Sequence, residues 1–224
     1  MIIGMLIFPD MTQLDFTGPY EVFAQLPDCE IRVIAKSLEP VAAKGGLKFI
    51  PDTTMDEAPK LDVVFVPGGP GVGPLMEDRP TLEFLRRQAK EARYVTSVCT
   101  GALVLGAAGL LKGYRATTHW LSLDLLPEFG ATAAPERVVI DRNRITGGGV
   151  TAGIDFALTI AAEVAGPATA KSIQLLIEYN PAPPFACGHP STADAEVVEK
   201  VRSARAPMQE ARLQQARRAA AHYC

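Results

Sequence analysis

The chain predicts an α/β fold: a three-layer sandwich in which a mostly parallel central sheet carries helices on both faces, plus a C-terminal helical extension. Three observations lead there. Short apolar runs that suit strands buried on both faces alternate with stretches of helical spacing. Breaks rich in Gly and Pro fall at the ends of those runs. The 224 residues, 48% hydrophobic and 21% charged, supply material for one substantial core and too little charge for disorder.

Taken in order, Ile2 to Phe8 is a continuous apolar run closed by Pro9 and Asp10, a central strand. Asp15-Phe16-Thr17-Gly18-Pro19 leads into a helix predicted over Tyr20 to Leu26, with Pro19 at its first position and Val22, Phe23 and Leu26 at helical spacing. Ile31 to Ala35 reads as a second strand, and Val41 to Ile50, with Gly45-Gly46 between short runs, as a hairpin-like excursion. Leu61 to Val66 is another buried strand, ending in Pro67-Gly68-Gly69-Pro70-Gly71 before a helix over Thr81 to Ala92. Tyr94 to Val98 repeats the pattern, followed by Cys99-Thr100-Gly101-Ala102 and a small-residue helix through Leu111. Val138 to Asp141 and Arg144 to Thr146 flank a turn at Arg142-Asn143, and helices are predicted over Thr151 to Val164 and Thr169 to Glu178. Three prolines within 181–184 end the regular pattern. The α/β domain is therefore placed at 1–180 and the extension at 181–224. Two extension helices are expected, over Ala193 to Ala206 and Met208 to Ala221, split by Pro207 and packed on the domain or on a dimer partner.

Composition excludes several function classes. With 22 Lys and Arg against 25 Asp and Glu, interleaved, nothing builds a field aimed at nucleic acid. No apolar stretch reaches the roughly 20 residues of a membrane-spanning helix. Cys29, Cys99, Cys187 and Cys224 form no C-x-x-C, and the N-terminus has neither a basic start nor a cleavage site, so a reduced, cytoplasmic protein is expected. The three histidines, His119, His189 and His222, are scattered, which indicates no metal site. Gly147-Gly148-Gly149 lacks the order of a dinucleotide fingerprint and no P-loop occurs, so nucleotide-phosphate binding is not expected.

Cys99 is the residue best placed for chemistry. It ends a buried strand and precedes a helix with small residues between, the position of a nucleophile elbow. That position faces the crevice at the carboxyl edge of a parallel sheet, and the following helix's positive end would favour a thiolate. A lone Cys after an apolar strand is also a common inert core residue, so both readings stand. Asp15 follows strand one by a short loop and so reaches the same edge. It is either a desolvated carboxyl with a raised pKa, suited to acid and base work, or a helix cap. Gly68 and Gly69 offer amides for a developing negative charge or simply make a turn. His119, beside Trp120, is either a proton donor near the sulfur or a packed residue.

Five motifs in the right order give the chain its resemblance: Asp15-Phe16-Thr17-Gly18-Pro19, Val66-Pro67-Gly68-Gly69, Ser97-Val98-Cys99-Thr100-Gly101-Ala102, Thr117-Thr118-His119-Trp120 and Gly148-Gly149-Val150-Thr151-Ala152-Gly153-Ile154-Asp155. Over nearly all its length the chain resembles the ThiJ/PfpI superfamily of glutamine amidotransferase-like folds, which implies a flavodoxin-like sandwich. Thr100 after the Cys and Asp15 in place of a strand-one Glu depart from the protease, deglycase and glyoxalase pattern and point to the branch that hydrates isonitriles. The absence of H-x-E disfavours glutamine hydrolysis.

That branch implies a cofactor-free lyase acting on a small isonitrile, with Cys99 attacking the terminal carbon while Asp15 protonates it. Asp15 then activates the water that releases an N-substituted formamide. Thr100 would hold Asp15, the sulfur or the water; Gly69, Val150 and His119 would line the pocket. The resemblance also implies a homodimer. The alternatives are a non-catalytic sensor domain of the type found in AraC-like regulators, for which the 44 residues from the start of the proline break are too few to hold the DNA-reading module, and a redox sensor using Cys99.

Overall fold

The buried runs pair into one seven-stranded sheet in the computed structural model, which describes residues 1–223; Cys224 lies outside the described residues. In chain order the strands are β1 (Ile2–Leu6), β2 (Glu30–Ala35), β3 (Val41–Ala42), β4 (Lys48–Phe49), β5 (Thr53–Thr54), β6 (Val63–Val66), β7 (Tyr94–Val98), β8 (Arg115–Ala116), β9 (Thr132–Ala133), β10 (Val138–Asp141) and β11 (Arg144–Gly147). The main sheet runs β10-β11-β7-β6-β1-β2-β5. Every pairing in it is parallel except the β10–β11 hairpin. The Val41 to Ile50 excursion is the expected hairpin, β3 pairing antiparallel with β4 around Gly45 and Gly46, both at positive φ.

The helices are α1 (Gln13–Phe23), α2 (Val72–Leu75), α3 (Arg79–Ala89), α4 (Gly101–Ala107), α5 (Ala152–Ala165), α6 (Pro167–Leu176) and α7 (Ala195–Tyr223), with a 3₁₀ segment over Trp120–Phe129. From β1 the chain steps outward to β2, then returns to place β6 on the other side of β1 and continues through β7. Because such crossovers are right-handed, the reversal puts α1 on one face and α3 and α4 on the other. Consistently, α1 packs on α5 and α3 on α4. The reversal lies between β1 and β6, and the crevice beyond their carboxyl ends is where such sheets take ligands.

Two helices differ from the sequence reading, both through proline. The first begins at Gln13 instead of Tyr20, so Pro19 lies inside it and Asp15 in its first turn. A proline there withholds one hydrogen bond, that to the Asp15 carbonyl, and its ring sits against Gly153 of α5. The two expected C-terminal helices are one, α7, with Pro207 inside it. Pro207 lies on an exposed stretch, where solvent can hydrate the carbonyl it leaves over. Residues 177–194, around the proline cluster, hold no helix or strand. Past them α7 folds back on α4, α2 and the 3₁₀ segment, burying Ala216 and Ala219 completely. Arg218 forks onto Glu77 at 2.7 and 3.1 Å. No helix among the described residues is long and apolar enough to cross a membrane.

Candidate active site

Three loops converge at the carboxyl edge of the sheet. The loop after β1 brings Asp15, that after β6 brings Gly68 and Gly69, and the tight turn after β7 brings Cys99 and Thr100. Cys99 sits at φ +52°, a conformation bulky side chains avoid. Its amide donates to the Gly147 and Gly148 carbonyls at 3.0 and 2.8 Å, and its carbonyl accepts from Thr118 Oγ1 at 2.7 Å. The turn is held from both sides.

Asp15 is fully buried. Its Oδ2 accepts the Gly68 N–H at 2.9 Å, while Oδ1 has no well-formed hydrogen bond. Burial raises the carboxyl pKa from 3.8 to about 7, against smaller downward pulls from the Cys99 thiol and the Gly68 amide. The Cys99 thiol is raised well above its ordinary value, first by burial and then by the Asp15 charge, with Thr100 N–H and hydroxyl opposing. This differs from the thiolate expected from the helix end, because burial outweighs a seven-residue helix. The resting pair is a thiol beside a carboxyl poised to exchange its proton near neutral pH.

Glycine makes this approach possible. A Cβ on Gly68 would lie 2.5 Å from Thr100 N and 2.8 Å from both Asp15 Oδ2 and Cys99 Cβ, so the bare backbone separates the two reactive side chains. Gly69 adopts φ +138°, and its N–H donates to Thr100 Oγ1 at 3.0 Å. That amide is therefore engaged with Thr100, while Gly69 itself lines the cavity. Thr100 Oγ1 in turn lies 3.3 Å from the Gly69 carbonyl, which with the Cys99 sulfur makes two acceptors for its single proton.

Cys99, Thr100, Gly69, His119 and Val150, all singled out in the sequence, line one cavity of about 180 Å³; Asp15 is fully buried and is not part of its lining. His119 is neutral, its pKa pushed down to about 4 by burial and then by the Arg212 and Arg205 charges. Its Nδ1 accepts the Leu121 N–H at 3.3 Å, leaving the ring proton on Nε2. His189, hydrogen-bonded to Ser191, borders a separate hollow near Trp120.

The arrangement of strand-end acid, glycine turn and cysteine elbow matches a known family. The model of the DJ-1/PfpI family matches residues 1–163. The chain belongs to the DJ-1/PfpI family. Among relatives, isonitrile hydratase of Pseudomonas putida is 58% identical over 219 residues, 98% of this chain and 96% of that protein. The HTH-type transcriptional regulator GbdR of Pseudomonas aeruginosa is 33% identical over 79% of this chain, which corresponds to 50% of the regulator. The solved structure of a ThiJ/PfpI family protein from Pseudomonas syringae superposes with a TM-score of 0.94 at 45% identity, covering 96% of this chain and 90% of that one.

To the DJ-1/PfpI core α7 adds a wall that the sequence reading missed. Arg205, Met208, Gln209 and Arg212 line the same cavity as Cys99. Arg212 is buried, donating from Nη2 to the Gly69 carbonyl at 3.4 Å and from Nη1 to Ser122 Oγ at 3.3 Å. The spacing of Met208, Arg212, Ala216 and Ala219 along one helix face was the available signal.

Proposed function

We propose that this chain is an isonitrile hydratase, converting an isonitrile and water to an N-substituted formamide. The observation that carries this reading is the buried carboxyl of Asp15 acting on a cysteine, Cys99, that itself lines a small cavity. The 58% identity to a curated isonitrile hydratase over nearly the whole chain supports it.

An isonitrile's terminal carbon must receive a nucleophile and a proton. The pair holds one of each: Asp15 takes the thiol proton and passes it to that carbon as the sulfur attacks, leaving a neutral thioimidate. Asp15, again a carboxylate, then removes a proton from water as its oxygen adds to the thioimidate carbon. Collapse expels the Cys99 sulfur, nitrogen acquires a proton, and the formamide leaves with the thiol restored. Every step uses a proton already in the pair or from the added water. Thr100 positions the sulfur, with its backbone N–H and hydroxyl both acting on it, and ties the elbow to Gly69. Val150 and His119 shape the cavity. We take the working form to be a homodimer, as the resemblance implies, in the reduced, cytoplasmic setting that its unpaired cysteine spacing suits.

The test is to incubate the purified protein with cyclohexyl isocyanide and follow N-cyclohexylformamide, with Cys99→Ala alongside. Turnover by the parent and none by the variant is expected. Equal rates from both would remove Cys99, and the mechanism with it.

A further inference from the structure

The wall supplied by α7 has a chemistry that water addition to an isocyano group does not require. Arg212 is buried and has no carboxylate within ion-pair distance among the described residues. A guanidinium has five N–H donors, and the two hydrogen bonds it makes are both to neutral acceptors. Ser122 Oγ, which accepts from Arg212, donates to Gln209 Oε1 at 3.1 Å. This fixes the Gln209 amide so that its Nε2, buried and unpartnered, is the end left over. Arg205 and Lys44 complete a lining that contains no acidic residue. The isonitrile, the thioimidate and the formamide are all neutral, so apart from the field that Arg212 places on the Cys99 sulfur, these donors face no charge in the reaction and are free to read another group of the substrate.

Resting on the hydratase reading above, we propose that the pocket selects an isonitrile that also carries a carboxylate, gripped by Arg212 with Gln209 Nε2 and Arg205 beside it. A planar guanidinium fork matches a carboxylate's two oxygens, and burial strengthens the contact. A cavity of about 180 Å³ limits the substrate to a small isocyano acid, whose carboxylate bound at α7 leaves the isocyano end toward Cys99. Arg212 is thereby a specificity residue, in addition to the field it places on the Cys99 sulfur.

The experiment compares kcat/KM for 3-isocyanopropanoate and for its uncharged isostere, 1-isocyano-3-methylbutane, in the full-length protein. The carboxylate compound is expected to be favoured roughly ten- to hundredfold, mostly in KM, the range one charged hydrogen-bonded contact gives. Arg212→Met should erase most of that ratio and Arg212→Lys restore part of it. Arg205→Gln, at an exposed position that does not threaten the fold, should lower it severalfold. A neutral compound used as well as the acid, or a ratio unmoved in Arg205→Gln and Arg212→Met, overturns the proposal while leaving the hydratase reading intact. If neither isonitrile is hydrated, it is the hydratase reading that fails, and protection of Cys99 from iodoacetamide decides on the anion site. Protection by 3-formamidopropanoate but not by N-(3-methylbutyl)formamide, weakened in Arg205→Gln, upholds it; equal protection by the two overturns it.

Discussion

At Cys99 a positive φ, two carbonyl acceptors and a threonine donor fix the backbone of a cysteine whose thiol, in the proposed mechanism, gives its proton to a single carboxyl. Rate should therefore depend on the protonation of Asp15. Below about pH 7 the carboxyl is protonated and cannot take the thiol proton; above it the carboxylate can. Isonitrile kcat/KM is expected to rise through about pH 7 and stay high, because the Cys99 thiol titrates well above its ordinary value. Asp15→Asn should cost about 10²- to 10⁴-fold, and its residual activity should lose the limb near neutrality. A variant that keeps the limb assigns that ionisation to another group. Gly68→Ala tests the geometry without touching either reactive group. Its methyl would meet the Thr100 amide at 2.5 Å, backbone that cannot yield cheaply. We expect a loss of about 1–3 kcal/mol in chemical denaturation and a larger loss of turnover, as Cys99 and Asp15 are forced apart.

Among the elements, what was legible in the sequence is what is encoded locally. The strand ends at Val66 and Val98, the glycine turn and the elbow each carry their signal within a few residues, so Cys99, Thr100 and Gly69 could be placed at one sheet edge before any coordinates. The helix borders at Pro19 and Pro207 were misplaced because a proline inside a helix removes only one hydrogen bond, and packing or exposure can absorb that loss. Arg212 and Gln209 were missed for a different reason: the spacing of Arg212 with Ala216 and Ala219 marks an inward helix face, but the site that this face meets is set only once α7 docks, a contact spanning 143 residues between Arg212 and Gly69. That docking depends on small residues. Ala216 and Ala219 are fully buried, and the facing Gly73 has room for nothing beyond the Gln215 amide. Ala216→Leu should overpack the seam by about 1–3 kcal/mol. Because Arg212 lies one turn away, the same substitution should raise the isonitrile KM more than it lowers kcat. An unchanged KM with lowered stability would separate the seam from the pocket.

Across the whole molecule, unpartnered apolar side chains and buried charges set assembly and stability. Leu175, Leu176 and Phe185 are 81, 67 and 76% exposed at the end of α6 and beyond it. If the proposed homodimer covers them, Leu176→Glu should shift sedimentation toward the monomer, and a variant that stays dimeric would place the interface elsewhere. The pH dependence of stability follows from two buried groups with opposite signs. Asp15 has a folded pKa of about 7 against 3.8 unfolded, so its contribution is full below 3.8 and is lost as pH rises through 7. His119 has a folded pKa of about 4 against 6.5, so the unfolded chain binds its proton first, and stability rises with pH across that interval. Each shift corresponds to a few kcal/mol, and between about pH 4 and 6.5 they oppose one another. The wild-type unfolding free energy should therefore change little there. Asp15→Asn unmasks His119, so its stability should climb as pH rises from 4 to 6.5. His119→Gln unmasks Asp15, so its stability should fall as pH rises toward 7. Urea denaturation at closely spaced pH values reads all three slopes. Parallel profiles in the three proteins would mean that neither group changes its proton affinity on folding, and the shared-proton mechanism would lose its electrostatic basis.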